Sequence, residues 1–253
     1  MQPSEFRKHV AEAGAAAFEA ASLKWLGETS KQVAEVVDVG EHHIATVRVN
    51  SVRPTAGAAR QAGRELARIH AAGAPAFGAP PAGYEGPCFI GTQEQECTPR
   101  DTFAEFYPAQ RVLPFTYAAF QAGNISQGCV EMVERACELI QEAELPPFGP
   151  ARIHGDLWAG NLMFSDAGPI FIDPAAHGGH PVTDIAMLAL FGAPFFEEIV
   201  AGYEEITALP DGWQETIPLH QLHPLAVHAY THGLGYAEPL YQAAMKTIRL
   251  LEG

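Results

Sequence analysis

Two carboxylates and an amide stand close together in the middle of this sequence, within residues 152–184. Asp156 follows a glycine, Asn161 comes five positions later, and Asp173 ends a short apolar run. A carboxylate on a tight loop can orient a hydroxyl group and accept its proton. Amide and carboxylate oxygens are the ligands that Mg²⁺ prefers in proteins. The set therefore predicts a general base at Asp156 beside a magnesium site formed by Asn161 and Asp173.

A strand, a tight turn and a hairpin are predicted to position these side chains. Residues 151–153 are expected to form the strand, and Gly155 then allows the backbone to turn sharply. Two apolar runs within residues 162–172 flank a Ser-Asp-Ala-Gly segment, which is typical of a hairpin. The second strand of that hairpin delivers Asp173 beside Asn161, so that both can hold one ion.

The same stretch contains the order His-x-Asp-Leu-x-x-x-Asn followed by Asp, beginning at His154. This is the catalytic-loop pattern of protein-kinase-type phosphotransferases, which need a base, Mg²⁺ and a cation on the phosphates of ATP. The full combination is far more specific than its His-Gly-Asp piece, because an Asp before a turn is common. It predicts a phosphotransferase that uses ATP and Mg²⁺. Asp184 begins an apolar helix, and in a kinase-like lobe such an Asp holds the backbone of the catalytic loop.

The net charge of the protein limits the classes of molecule that it is expected to bind. The 253 residues are enough for one large domain or two small lobes. They include 15 Lys and Arg against 30 Asp and Glu, which is a formal net charge of −15. Such a deficit of positive charge argues against nucleic acid or an anionic membrane as the main partner. It is compatible with a nucleotide, because one lysine and a metal ion can hold phosphates inside an acidic protein.

The spacing of the cysteines and the hydropathy of the sequence indicate the cellular compartment of the protein. Four cysteines occur without a Cys-x-x-Cys pair, so neither a zinc ribbon nor a redox dithiol is indicated. The sequence does not open with a basic segment followed by an apolar one, and it contains no run of about 18 apolar residues. We therefore expect reduced thiols and a cytoplasmic protein.

The remaining elements are predicted from propensity and from apolar periodicity. Strands are expected for a short segment at residues 5–10 and for two runs rich in β-branched residues. Helices dominate elsewhere, with an aromatic-rich pair interrupted at Pro108 and Pro114 and a helix stop at Pro146-Pro147. The two β-branched runs cover residues 33–39 and 43–49, and the helices cover residues 11–26, 55–71, 101–121, 126–139 and most of 182–251.

The central stretch closely resembles the fructosamine kinase (ketosamine-3-kinase) family. The signature of that family is His-Gly-Asp-Leu-Trp-x-Gly-Asn, followed by Asp-Pro-Ala and by Gly-His. These motifs are found here at residues 154–161, 173–175 and 179–180. Similar segments extend the resemblance over nearly the whole chain, at residues 18–23, 63–70, 90–91, 184–187, 190–192, 202–203 and 219–225.

The resemblance implies an α+β fold like that of aminoglycoside phosphotransferases and protein kinases. A truncated small N-terminal lobe, with a few antiparallel strands, would take residues 1–52 and bind the nucleotide. A larger and mainly helical catalytic lobe would take residues 53–253. The family transfers the γ-phosphate of ATP to O3, a sugar hydroxyl of the ketosamines that protein glycation produces.

The resemblance also implies roles for individual residues. Asp156 would be the catalytic base, and Asn161 and Asp173 would hold Mg²⁺. Trp158 and His180 would bind the sugar-amine substrate. An aromatic ring against the C–H face of a sugar is a physically reasonable wall for such a site.

The nucleotide-binding end departs from the family. Lys8 would be the phosphate-binding lysine and Glu19 its ion-pair partner, and two strands joined by a Gly-rich loop should precede this lysine. Only seven residues precede Lys8, so we expect that hairpin to be missing, either because the sequence begins late or because the protein is a degenerate member. In addition, Pro181-Val182 stands where the family has Arg-Glu, which removes a charged pair near the catalytic loop.

Two further functions stay open at this point. A catalytically impaired pseudokinase, or a binding module of the same fold, would keep the catalytic lobe without holding ATP productively. The intact set of base and metal ligands favours an active enzyme, whereas the missing hairpin favours the impaired one. A metallohydrolase is the third interpretation, in which a metal cluster would consist of His154, Asp156, Asp173, His177 and His180.

Overall fold

The N-terminal part of the protein combines a three-stranded sheet with one helix. In this computed structural model, the described residues are 4–143 and 148–253. The sequence prediction of three strands and a helix is confirmed, with the bounds β1 Glu5–His9, α1 Ala15–Gly27, β2 Val36–Gly40 and β3 His43–Val47. Strand β3 pairs antiparallel with both β1 and β2. Helix α1 begins later than predicted because Gly14 has a φ of +90°, which belongs to the left-handed region and cannot start a right-handed helix.

Helix α2 (Ala56–Ala71) begins at a capping side chain. The Oγ1 atom of Thr55 accepts a hydrogen bond of 3.2 Å from a backbone N–H of the first turn. The Gly/Pro-rich residues 73–87 form no helix or named strand, as predicted. A short hairpin follows, β4 (Cys88–Ile90) and β5 (Gln93–Gln95), which the sequence pattern does not predict because each strand has only three residues.

The aromatic-rich stretch differs from its prediction. It forms one continuous helical run, which consists of α3 (Phe103–Tyr107), a π-helical turn (Pro108–Val112) and α4 (Leu113–Gln121). Pro108 is the first residue of the π turn, and Pro114 lies in the first turn of α4. The run thus continues through both prolines, where a break was expected.

The rest of the chain alternates short strands with longer helices. The bounds are α5 Gln127–Glu142, β6 Ala151–Ile153, β7 Leu162–Ser165, β8 Gly168–Phe171, β9 His177–Gly179, α6 Pro181–Leu190, α7 Phe196–Glu204, α8 Trp213–His232 and α9 Ala237–Glu252. Strand β6 pairs antiparallel with β9, and β7 and β8 form the predicted hairpin. The proline pair at residues 146–147, predicted to stop α5, lies outside the described residues.

Two buried apolar clusters hold these elements together. One joins α3, α4, α5, α8 and α9. The other joins β7, β8 and α6 to α1, α2 and α7, and it contains Leu157 and Phe171 from the predicted catalytic segment. Helices packed on antiparallel strands confirm the α+β class. The predicted lobe boundary at residues 52 and 53 lies between β3 and α2 and stays a prediction. Over residues 4–143 and 148–253, no helix has both the length and the apolar character needed to span a bilayer.

Candidate active site

A carboxylate from helix α6 holds the catalytic loop. Asp184 is 1% exposed and accepts hydrogen bonds from the backbone N–H groups of His154, at 2.7 Å, and Gly155, at 2.9 Å. Burial alone would raise the pKa of Asp184, but the hydrogen bonds from His70 and from the backbone of His154 hold that pKa below its ordinary value. The predicted role of Asp184, to hold the backbone of this loop, is confirmed.

Gly155 makes the sharp turn that the sequence predicts. Its φ is +81°, and a Cβ at this position would overlap the carbonyl oxygen of Ala175. Glycine alone has both the free φ and the small volume that the turn needs. The N–H of Ala175 donates to the carbonyl of His154 at 2.9 Å, which fastens the other side of the turn.

His154 links the catalytic loop to the end of β8, which Asp173 follows. Its Nε2–H donates to the carbonyl of Ile172 at 2.9 Å, because a carbonyl can only accept, and its Nδ1 accepts the N–H of Asp156 at 3.3 Å. Burial lowers the pKa of His154 and so keeps the ring neutral. Sequence reasoning missed this role, although the histidine is the first residue of the motif.

Asp156 and Asn161 are in direct contact. The Nδ2 atom of Asn161 donates to the backbone carbonyl of Asp156 at 2.8 Å and to its carboxylate at 3.2 Å. Burial raises the pKa of Asp156 to about 7, and the negative charge of Asp173 adds to the rise. A carboxyl group that titrates near neutrality is suited to proton transfer at physiological pH.

Three elements converge at Lys8. Its Nζ lies 2.6 Å from Oε2 of Glu19 on α1 and 2.9 Å from Oδ1 of Asp173, which follows β8. Burial lowers the pKa of Lys8, but the attraction of both carboxylates outweighs this effect and raises that pKa above its ordinary value. The predicted ion pair of Lys8 and Glu19 is therefore present. Asp173 itself has a φ of +52°, which is uncommon for a residue with a side chain.

Asn161 and Asp173 fit a magnesium ion by the chemistry of their free oxygens. Because the NH₂ group of Asn161 is directed to Asp156, its Oδ1 atom is left without a hydrogen-bond partner among the described residues. The side chain of Asp173 is 43% exposed. Two such oxygens suit a hard cation that takes its remaining ligands from phosphate and water.

The metallohydrolase interpretation is wrong for the part of the chain that the structure describes. That part contains no group of three or more His, Cys, Asp or Glu side chains that could hold a metal ion. The histidines of the supposed cluster have other partners, and His154 and His177 are buried. His177, for example, shares a hydrogen bond with the carbonyl of Ala175 at 2.9 Å and accepts one from Arg111 at 3.3 Å.

Trp158 stands next to the base, as the motif requires. It precedes the short 3₁₀ turn Ala159–Asn161, and its ring covers Gly160, where a Cβ would overlap it. The residue is 43% exposed. An exposed aromatic face two residues after Asp156 is compatible with a wall of the acceptor site, and this role stays a prediction.

His180 does not lie with the other predicted site residues. It caps α6, where its Nδ1 accepts the N–H of Val182 at 3.2 Å, and it stacks on His220 with ring centroids 4.6 Å apart. Both histidines line a cavity of about 880 Å³ that includes none of the predicted base and metal ligands. Gly179 pairs with Ala151, at the end of β6 away from the catalytic loop. His180 thus lies apart from the predicted base and metal ligands, and its role in substrate binding stays a prediction.

Sequence reasoning also missed His70, which supports Asp184 from helix α2. Its Nε2–H donates to Asp184 at 3.0 Å, so its Nδ1 accepts the hydroxyl of Tyr203 on α7, also at 3.0 Å. Helices α2 and α7 approach closely at Gly63 and Gly202, where a Cβ on either glycine would overlap the backbone of the other helix. The signal was present in the run from Gly63 to His70, but only as part of a resemblance.

Comparison with known proteins finds relatives over most of the chain. The family model described as Fructosamine kinase matches residues 6–251. A probable ketoamine kinase from Enterococcus faecium is 31% identical over 193 residues, which are 76% of this chain and 68% of that protein. The matched segments span 68%, 57% and 61% of the lengths of the first three curated relatives.

Solved structures share the fold. A candidate fructosamine-3-kinase from Thermobifida fusca has a TM-score of 0.91 and 40% identity, over 98% of this chain and 86% of that one. A ternary complex of the aminoglycoside phosphotransferase APH(4)-Ia with ADP and hygromycin B has a TM-score of 0.59 and 15% identity, over 92% and 82% of the two chains. The kinase-like fold implied by the sequence is confirmed.

Proposed function

This chain belongs to the fructosamine kinase family of kinase-like phosphotransferases, and we propose that it transfers the γ-phosphate of ATP to a sugar hydroxyl of a ketosamine. One observation carries the proposal: a carboxyl group with a pKa raised to about 7, two oxygens that could hold a metal ion and a half-buried lysine paired with two carboxylates meet in a single site. ATP and a sugar-amine acceptor are further supported by the ketoamine kinase relative and by the ADP that the aminoglycoside phosphotransferase binds.

Asp156 acts as the base in this proposal. It accepts the proton of the acceptor hydroxyl as that oxygen forms a bond to the γ-phosphorus of ATP. The bond between the γ-phosphorus and the bridging oxygen breaks at the same time, and ADP leaves. Because the pKa of Asp156 is about 7, the carboxylate can both take up this proton and release it to water afterwards.

Positive charge comes from two sources. Lys8, oriented by Glu19, faces the phosphates of ATP. Asn161 and Asp173 would hold Mg²⁺, which neutralises negative charge on the phosphate oxygens. Hydrogen bonds from Nδ2 of Asn161 to Asp156 fix the direction of the Asn161 amide.

The Asp156→Asn variant tests the base. We expect turnover of ATP with a fructosamine or ribulosamine, in the presence of Mg²⁺, to fall about 10²- to 10⁴-fold, because the amide keeps the shape but cannot accept a proton. Asp166→Asn removes an exposed carboxylate in the turn between β7 and β8 and serves as the matched control. Turnover of Asp156→Asn at the wild-type rate would contradict the assignment.

The same assay separates the remaining possibilities. An impaired pseudokinase, the alternative predicted from the sequence, would bind ATP without consuming it. An active protein that phosphorylates no ketosamine would instead use another sugar amine as its acceptor. We also propose a cytoplasmic location, because the four cysteines are free thiols.

A further inference from the structure

Cys88 and Cys97 lie side by side at one end of the hairpin β4–β5. Cys88 is the first residue of β4 and pairs with Gln95, the last residue of β5. Because residues two positions apart on a strand share a face, Cys97 lies on the same face of the hairpin as Cys88. Their thiols are close enough to share a hydrogen bond. The hairpin thus brings together two thiols whose spacing in the sequence does not suggest a redox pair.

A buried guanidinium group adjoins this pair. Arg111 is 1% exposed, and an arginine side chain stays charged at any physiological pH. Its Nη2 donates to the sulfur of Cys97 at 3.5 Å. Its other hydrogen-bond acceptors in the described part of the chain are the carbonyl groups of Glu96 and Gln110 and a ring nitrogen of His177. Only the sulfur among these acceptors can become an anion. Because a buried charge needs a compensating charge, the site favours the thiolate form of Cys97.

The two thiols of the pair differ in their ionisation. The hydrogen bond from Cys88 lowers the pKa of Cys97, and the charge of Arg111 lowers it further, so that the two effects outweigh burial. The same hydrogen bond, together with burial, raises the pKa of Cys88, which therefore stays protonated. Since the thiolate is the reactive form of cysteine, Cys97 is the nucleophile and Cys88 is the neutral thiol beside it.

A small oxidant has access to Cys97. This residue is half-buried, whereas the other three cysteines are buried. Both thiols of the pair line a cavity of about 300 Å³, which exceeds the space that one water-sized molecule needs. The residues that line this cavity include none of the predicted base, metal, nucleotide or substrate residues. The pair is therefore separate from the candidate active site.

We propose that Cys97 and Cys88 form a peroxide-sensitive site, at which oxidation of Cys97 leads to an intramolecular disulfide. The Cys97 thiolate attacks one oxygen of hydrogen peroxide, the O–O bond breaks, and the hydroxide that leaves takes a proton from solvent. The resulting sulfenic acid reacts with the thiol of Cys88. The S–S bond forms, the S–O bond breaks, and the hydroxyl leaves as water with the proton of Cys88. Two electrons thus pass from the two sulfur atoms to the peroxide, which becomes two water molecules.

Peptide mapping by mass spectrometry tests this inference on the intact wild-type protein. Under native conditions, iodoacetamide should alkylate Cys97 at least about tenfold faster than Cys129 and Cys137, because burial raises the pKa of both of these thiols. Trypsin releases residues 69–100 as one peptide that contains Cys88 and Cys97. Hydrogen peroxide should remove two hydrogen atoms from this peptide, and dithiothreitol should restore them. A further cut after Glu94 or Glu96 should leave the two halves of the oxidised peptide joined.

Serine variants assign the two roles. In Cys88→Ser, the hydroxyl keeps a hydrogen-bond donor beside Cys97, so Cys97 should still be oxidised, but only to a sulfenic acid that dimedone traps. In Cys97→Ser, Cys88 should stay reduced at doses of peroxide that oxidise the wild-type protein. Cys129→Ser removes a buried thiol from α5 and serves as the matched control, in which the disulfide should form as in the wild type.

The wild-type protein alone can overturn the inference, so the result does not depend on the folding of a variant. Alkylation of Cys97 no faster than that of Cys129 would contradict the thiolate. Peroxide treatment that leaves Cys88 a free thiol, or that joins Cys97 to a second copy of the chain, would contradict the intramolecular pair. Because neither thiol belongs to the candidate active site, each of these outcomes would leave the proposed phosphotransferase function unchanged.

Discussion

The hydrogen bonds around Asp184 predict the effect of a single atom change on stability and on turnover. This carboxylate accepts three N–H groups, two from the catalytic loop and one from His70. In Asp184→Asn, one oxygen becomes an NH₂ group, which is itself a donor. Whichever way the amide turns, at least one buried N–H group faces another donor and loses its acceptor.

The magnitude follows from burial. His70 is 4% exposed and Asp184 is 1% exposed, so water does not replace the lost acceptor. A buried N–H group that is left without its acceptor costs about 1–3 kcal/mol. We therefore expect Asp184→Asn to lower the free energy of unfolding by about 1–3 kcal/mol. Turnover should fall as well, because the loop that carries Asp156 loses its anchor.

Urea unfolding followed by circular dichroism measures this difference, with Asp166→Asn as the exposed control that should change it by less than about 0.5 kcal/mol. The pH dependence gives a second check. The pKa of Asp184 is lowered in the folded state, so its stabilising effect is complete above the unfolded value of about 4 and is lost as the pH falls through the folded value. The difference between wild type and variant should stay constant at neutral pH and shrink below about pH 4.

Two results would refute this reasoning. A loss of stability below about 1 kcal/mol would mean that the three hydrogen bonds contribute little beyond what water offers. A large loss of stability with normal turnover would mean that the loop keeps its geometry without Asp184, so that the residue supports the fold and not the site.

The ion pairs of Lys8 and the hydrogen bond between His70 and Tyr203 give the remaining predictions. Lys8→Met removes the cation between Glu19 and Asp173 and should lower ATP-dependent turnover about 10²-fold or more. Lys246→Met, on the exposed side of α9, is the control. Equal turnover in both variants would exclude Lys8 from phosphate binding. Tyr203→Phe leaves Nδ1 of buried His70 without its donor and should lower the free energy of unfolding by about 1–2 kcal/mol in urea titrations, whereas no change would show that this hydrogen bond contributes nothing.

The chemistry of the site could be predicted because it is local. Asp156 and Asn161 are five residues apart and touch. The hairpin that carries Asp173 follows from two apolar runs around a turn, and its register confirms that prediction. The glycine at position 155 predicts a sharp turn. Each of these features depends on backbone preferences within a few residues, which are visible in a single sequence.

The aromatic-rich stretch was mispredicted because distant contacts decide its course. Pro108 and Pro114 would weaken an isolated helix. Here the residues around them are anchored from outside the run. The hydroxyl of Tyr107 donates to the carbonyl of Leu219 on α8 at 3.1 Å, and a guanidinium nitrogen of Arg111 donates to the carbonyl of Glu96 at 2.6 Å. Tertiary packing therefore overrides local propensity at both prolines.

The residues that support the site could not be predicted from the sequence for the same reason, as two histidines show. His180 lies in a signature motif yet lines a cavity that includes none of the predicted base and metal ligands, whereas His70, 114 positions before Asp184, helps to anchor the catalytic loop. A neutral histidine both donates and accepts, so its role depends on the groups on either side of its ring. For His70 those groups come from α6 and α7, and α7 reaches it because glycines let the helices approach closely. The anchor of the loop that carries Asp156 thus includes contacts from α2 and α7, which lie outside the motif.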